Sequence, residues 1–267
     1  MRASLPMYDL PGLEAATDAW WAGLAAAFRA EGLAEVPQRL TREADHAALW
    51  RAPDLLFSQT CGYPLTHALA GQMTLVATPI YRCAGCEAGM YRSEILVRAD
   101  DPAAHLAELA GRRAAVNAAD SQSGCHALRH AVRALFGEGR FFGAVVLTGG
   151  HRASMQAVAA GEADVCAIDG VTYALLGRTQ PDLVRSLRVL AQSEAAPALP
   201  YVTRRDIPAD DLQRLRAGLV RACGDPTLSA ARAALLLAGV VVLPLSAYDR
   251  ILDMEAAADA AGCPDLV

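Results

Sequence analysis

Two short stretches hold the residue types best suited to chemistry. The first is Asn117-Ala118-Ala119-Asp120-Ser121-Gln122-Ser123-Gly124, which follows an apolar run and precedes a helical pattern. Two serines and a glycine therefore stand at a helix N-terminus. The first amides of a helix have no intrahelical acceptor and sit at the positive end of its dipole. Serine hydroxyls add donors, and glycine lets a backbone approach closely. That is anion-binding chemistry, although an ordinary serine N-cap has the same letters. The second stretch, Val145-Val146-Leu147-Thr148-Gly149-Gly150-His151-Arg152-Ala153-Ser154, repeats the plan of strand, polar turn and helix. Thr148 and the two glycine amides leave the strand at its C-terminal end, the edge where open α/β sheets bind ligands. His151 and Arg152 fall in the first helical turn, where a cation opposes the dipole by about 0.3–1 kcal/mol. A bound anion would offset that cost. His151 reads as a ligand or as a partly exposed turn histidine, and Arg152 more simply as a solvated side chain.

Asp169 ends the apolar run Val165-Cys166-Ala167-Ile168 at the same edge. A carboxylate beside an anion site repels the anion unless it accepts a hydrogen bond from a protonated oxygen or an amine. The alternative is a cap for the next helix. Tyr8, the run Ser58-Gln59-Thr60-Cys61-Gly62-Tyr63, and Tyr91-Arg92-Ser93 lie at strand ends. Tyrosines there supply flat walls with a hydroxyl, or simply half-buried packing.

Other constellations are weaker. Cys83-x-x-Cys86 invites a zinc or redox reading. Zinc needs two further ligands, and no second CxxC or HxxxH pair exists. Redox chemistry of the thioredoxin kind needs the first cysteine at a helix N-terminus, whereas this pair falls between two strands. A local disulfide is a third option. Ser123, His151 and Asp169 have the types of a catalytic triad, but no G-x-S-x-G elbow is present. No metal and no cofactor is expected.

The elements that must position these residues follow an α/β rhythm. Strands are expected at 2–8, 37–41, 54–59, 73–82, 90–98, 112–117, 143–148, 165–169 and 187–192. Helices are expected around 13–28, 64–71, 105–110, 124–136, 151–160, 171–177, 208–222, 226–237 and 246–260. No linker composition separates two domains. The rhythm restarts near residue 99, which predicts two lobes joined by strand crossings with a cleft between them. Lobe 1 would take 1–92 plus 190–267, and lobe 2, carrying the anion-binding turns, 93–189. Each lobe is expected to be a mainly parallel sheet flanked by helices.

Composition narrows the function. Twenty-four basic residues against 29 acidic ones give a net charge of −5, and every basic residue is arginine. No basic tract could release counterions, so nucleic acid is not an expected partner. The missing lysine excludes a Schiff-base enzyme and a lysine-bearing P-loop. No apolar stretch reaches the roughly 18 residues of a transmembrane helix. The N-terminus is too polar for a signal-peptide core, so the sequence predicts a cytoplasmic chain or a mature form whose leader has been removed. The seven cysteines are odd in number and do not look like a disulfide framework.

Taken together, Leu5-Pro6-Met7-Tyr8-Asp9, Ser58–Tyr63, Tyr91-Arg92-Ser93, Asn117–Gly124, Thr148–Ser154 and Ala163–Asp169 give a resemblance. The chain resembles the periplasmic phosphate-, phosphite- and phosphonate-binding proteins of ABC importers, which have the type II periplasmic-binding-protein fold. The resemblance implies a solute-binding protein, not an enzyme, for one small tetrahedral oxyanion, with an ABC permease as partner and a periplasmic location. It implies Ser121, Gln122 by its amide, Ser123 and His151 as oxyanion ligands. Thr148, Asp169, Tyr91, Tyr8 and Ser58 complete the expected site. Gln122 stands where a hydroxyl residue is familiar in that family. Two rivals share the fold: a cleft enzyme resembling those of the menaquinone pathway, with Asp169 as acid or base, and a cytoplasmic ligand sensor.

Overall fold

The computed structural model describes residues 1–43, 45–135 and 139–267. Along the chain come β1 (Arg2–Ala3), α1 (Glu14–Ala30), α2 (His46–Trp50), β2 (Leu55–Gln59), α3 (Gly62–Thr66), β3 (Met73–Tyr81), β4 (Met90–Tyr91) and β5 (Ser93–Arg98). There follow β6 (Arg113–Val116), α4 (Ala127–Val132), β7 (Ala144–Leu147), α5 (His151–Ala159), β8 (Val165–Asp169), α6 (Gly170–Thr179), α7 (Pro181–Arg185) and β9 (Leu187–Gln192). The last are β10 (Ala196–Pro197), β11 (Tyr201–Arg204), α8 (Ala209–Gly224), α9 (Ser229–Ala234), β12 (Leu237–Val241) and α10 (Asp249–Ala260).

The chain forms two compact units. Unit 1 contains Met1–Arg82, Glu87–Gly89 and Pro197–Ala247; unit 2 contains Cys83–Cys86, Met90–Ala196 and Tyr248–Val267. Unit 1 has a sheet of order β1-β2-β11-β3-β12. The buried stripe of α1, with Trp20, Trp21, Leu24 and Phe28, lies at helical spacing. Phe57 of β2 packs against Phe28 and Tyr201, with ring centroids 5.3 and 5.0 Å apart. Helix α8 reaches α1 through Gly218, where a Cβ would lie 2.5 Å from Phe28 Cδ1.

Unit 2 has a sheet of order β7-β6-β8-β5-β9. Its core joins Ile95 and Val97 of β5, Val116 of β6 and Ala167 of β8 to Leu128 and Val132 of α4. Both sheets are mixed, where the sequence predicts mainly parallel ones. β1–β2, β6–β7 and β6–β8 run parallel, but β11 lies antiparallel to both β2 and β3, and β5 antiparallel to β8 and β9. The cause is connectivity. β5 enters unit 2 after the chain has left unit 1, and β11 enters unit 1 on the way back, so neither is part of a βαβ crossover.

Other departures are local. The first strand stops at Ala3 rather than residue 8, because Pro6 lacks an N–H and breaks the ladder. Residues 37–41 form no strand; Thr41 N still donates to Ala3 O at 2.7 Å, but Pro37 cannot pair. The helix expected at 124–136 begins as a single π-helical turn, continues as α4 and ends in a 3-10 turn at Arg133–Leu135. Its expected last residue, Phe136, lies outside the described residues.

The C-terminal helix belongs to unit 2, whereas the sequence reading put 190–267 wholly in lobe 1. The reason is Arg129, which is 4% exposed on α4. Its guanidinium donates to Cys263 O and Pro264 O at 3.1 and 3.2 Å and to Asp259 Oδ1 at 2.5 Å. A buried cation held this way fastens the end of the chain to α4. Arg129→Met is expected to lower the unfolding free energy by about 1.5–3 kcal/mol in urea titration. An unchanged midpoint would show that the C-terminal segment is held by apolar packing alone.

Candidate functional site

Both chemistry-bearing turns lie in unit 2, where β6 and β7 end side by side. The parallel ladder from Arg113↔Ala144 to Val116↔Leu147 continues past the strands. Thr148 N donates to Val116 O at 2.9 Å, and Gly149 N to Asn117 O at 3.0 Å. The two turns are thus tied backbone to backbone. Gly149 takes φ +82°, a left-handed conformation that glycine adopts without steric cost.

At the first turn Ser121 is extended, and its Oγ accepts from Gly124 N at 3.1 Å. It is an N-cap. Its carbonyl accepts from both Cys125 N and His126 N, each at 3.1 Å, which makes the opening turn π-helical. The amides of Gln122 and Ser123 come first in this turn and have no intrahelical acceptor. Gly124 is required for space: a Cβ there would lie 1.8 Å from Asn117 Oδ1 and 3.1 Å from His151 Cε1. Ser121, Gln122 and Ser123 are all buried. The Gln122 side chain points to α10, with its Nε2 3.6 Å from Met254 Sδ.

At the second turn His151 opens α5 behind the extended Gly150. Its Nε2 lies 2.9 Å from Ser123 Oγ and 3.4 Å from Asp169 Oδ2. Asp169 Oδ1 in turn accepts from Thr172 N at 2.9 Å, capping α6. A line of polar contacts therefore runs from the first turn through the second to the end of β8. The imidazole side chain is only 16% exposed. Burial pushes its pKa down from the usual 6.5, against the opposing pull of the Asp169 carboxylate. The neutral form is the resting one near neutral pH. Thr148 Oγ1 is engaged within its own turn, 2.6 Å from Ser154 Oγ and 3.3 Å from Val116 O. Among the described residues, Asn117 Oδ1 and Gln122 Oε1 are buried beside these turns without a hydrogen-bond partner.

The structure thus brings together Ser121, Gln122, Ser123, Thr148, His151 and Asp169 in unit 2. Tyr91 of β4, in the same unit, is buried. Tyr8 and Ser58 lie in unit 1. Ser58 is wholly interior, with its Oγ 2.7 Å from Ser4 Oγ and 3.2 Å from Trp50 Nε1. Tyr8 packs edge-on against Tyr81, centroids 5.1 Å apart, and helps line a pocket with Trp20, Gln59, Tyr81 and Tyr201. Gln59 Nε2 donates to Tyr81 Oη at 3.0 Å. Sequence reading had not singled out Tyr81 or Tyr201. They meet only because β11 inserts beside β3, with Tyr201 opposite Ala77, and no local pattern signals that pairing.

Among the described residues no cluster of three or more metal-ligating side chains occurs, and no helix is long and apolar enough to cross a membrane.

Comparison with known proteins gives a family and a fold. A family model described as the phosphonate periplasmic substrate-binding protein of ABC transporters matches residues 41–248. A search of curated proteins finds no significant match. Among solved structures, a binding-protein component of an ABC phosphonate transporter from Pseudomonas aeruginosa superposes with TM-score 0.78 at 17% identity, covering 98% of this chain and 87% of that one. PhnD1 from Prochlorococcus marinus, solved with methylphosphonate, gives TM-score 0.77 at 12% identity over 96% and 97% of the two chains. XAC2383 from Xanthomonas citri, solved with ATP, gives 0.72 at 16% identity over 98% of each. At these identities the structural likeness establishes the fold of periplasmic binding proteins and no more.

Two outcomes follow from the geometry. Gly124→Ala forces Asn117 and the serine turn apart and is expected to cost about 1–3 kcal/mol of stability, read by urea unfolding; a neutral effect would mean that Asn117 swings away freely. His126, His130 and His151 are all held below the ordinary histidine pKa of 6.5, each chiefly by burial. The unfolded chain then binds more protons than the folded one as pH falls below 6.5, so stability drops on that side. Calorimetry is expected to show the melting temperature falling from neutral to mildly acidic pH, and a flat profile would contradict the burial of these rings.

Proposed function

The chain belongs to the periplasmic substrate-binding family of phosphonate ABC transporters, and from that premise we propose that unit 2 holds one small tetrahedral oxyanion: a phosphonate, phosphite or phosphate. The family implies a permease partner and a binding role rather than catalysis. The observation that carries the reading is the backbone tie between the two turns. It sets two helix N-termini side by side, and their orphan amides and dipoles favour one shared anion. Gln122 and Ser123 would donate their amides. Ser121 and Ser123 would add hydroxyls, and His151 an N–H. A tetrahedral oxyanion has acceptors spread over several oxygens, which suits donors arriving from two directions.

Asp169 acts here through His151. Its carboxylate is the partner that would hold a proton on the imidazole once an anion arrives, since ligand charge favours the cationic ring. Thr148, bonded to Ser154, keeps the second turn in shape. Charge-assisted hydrogen bonds contribute about 1.5–3 kcal/mol each. Four or five of them, less the cost of association, leave about −8 kcal/mol, or micromolar affinity.

The caps decide which substitution tests this. Ser121 fastens the turn, so Ser121→Ala is expected to cost about 1 kcal/mol of stability along with affinity. Ser123 carries no cap. Calorimetric titration of Ser123→Ala with methylphosphonate, phosphite and phosphate is expected to show affinity reduced about tenfold or more. Unaltered affinity for whichever ion binds the parent chain would reject the site. Phosphorus NMR of the bound ligand separates binder from enzyme: an unchanged resonance after prolonged incubation fits a carrier, and a new product resonance overturns it.

A further inference from the structure

Cys83 and Cys86 lie outside everything assigned above. Cys86 N donates to Cys83 O at 3.2 Å, and Gly85 between them takes φ +73°. That is a four-residue reversal with glycine at its third position, the conformation a type II turn demands. The reversal brings the ends within about 7 Å Cα to Cα, inside the range that a disulfide spans. The side chains follow the backbone: the two sulfurs are 2.6 Å apart, and both cysteines are free. With no third ligand among the described residues, the pair is not a metal site. Cys83 is half-buried and Cys86 buried. Hydrogen bonding with Cys83, then burial, then the nearby Asp169 and Glu94 carboxylates hold the Cys86 thiol protonated. The turn lies where the chain passes between the units, and it packs on the start of α6: a Cβ on Gly170 would lie 3.5 Å from Ala84 O and 4.0 Å from Cys86 Sγ.

We propose that Cys83 and Cys86 are a redox pair that closes to an intramolecular disulfide by exchange with an external disulfide. Cys83 is the attacking residue because it is the one solvent reaches. Its thiolate attacks a disulfide RSSR, forming Cys83–S–S–R and expelling RS⁻. Cys86 then loses its proton and attacks the Cys83 sulfur, releasing the second RS⁻. The protein loses two electrons and two protons, and RSSR becomes two RSH. Cys125, Cys166 and Cys263 are buried; Cys61 and Cys223 are half-buried like Cys83, but neither has a second cysteine three residues away to resolve a mixed disulfide.

The test uses the full chain in glutathione buffers of graded ratio, with the tryptic peptide of residues 83–92 read by mass spectrometry. That peptide holds both cysteines and no other. In the parent chain it is expected to become lighter by two hydrogens and to resist alkylation. Cys86→Ser, with its attacking thiol intact but no resolving one, is expected to retain a glutathione adduct on Cys83. Cys83→Ser is expected to stay reduced at the same ratio. Circular dichroism confirms that each variant is folded. A stable glutathione adduct on the parent peptide, or two alkylatable thiols at the most oxidising ratio, would overturn the proposal.

Discussion

The structure of unit 2 turns on how the ends of three neighbouring strands are tied. Val116, Leu147 and Asp169 are the last residues of β6, β7 and β8. Backbone bonds from Thr148 and Gly149 fix the second of these ends to the first. The contacts of His151 with Ser123 and Asp169 then join all three in side chains. This constraint is expensive to leave half made. A buried imidazole and a buried carboxylate each need a partner, and here each supplies part of the other's. Once that line is in place, the positions of two helix starts follow from it.

The proposed site is one that an acidic, lysine-free chain can build. Bulk charge is unhelpful at −5. Fixed dipoles and backbone amides act over a single turn, so they work whatever the net charge of the surface. They also suit a small ligand better than long cationic side chains do, because they are already ordered before it arrives. In the proposed site His151 would add a group whose charge state responds to the ligand. Gly124 shows the cost of the design: Asn117 presses so closely on the serine turn that no side chain fits there.

Much of this was legible in the sequence, and the remainder failed for identifiable reasons. β8 and β9 fall where apolar runs predicted them, at 165–169 and 187–192. The two turns were legible because a strand, a Gly- or Ser-rich reversal and a helix are all local features. The sequence leaves Asp169 between ligand and cap; the structure shows the cap on Thr172 N and a 3.4 Å approach to His151, a contact between residues far apart in the chain that no local pattern signals. The mixed sheets, the Tyr8–Tyr81–Tyr201 grouping and the docking of α10 on Arg129 were hidden because each depends on residues far apart in the chain. Arg129 shares a helix with His126, His130 and Arg133, a pattern that reads as a solvated face, and only the returning C-terminal carbonyls make it interior. The two cysteines at 83 and 86 had three readings, and the glycine between them, in a left-handed conformation, is what sets their sulfurs together.

The most direct test of the account is amide NMR of the folded chain during titration with methylphosphonate. Hydrogen bonding to a phosphonate oxygen is expected to shift the Gln122 and Ser123 amides strongly downfield, together with those at the start of α5. Saturable shifts confined to other residues, with these amides unmoved, would contradict it.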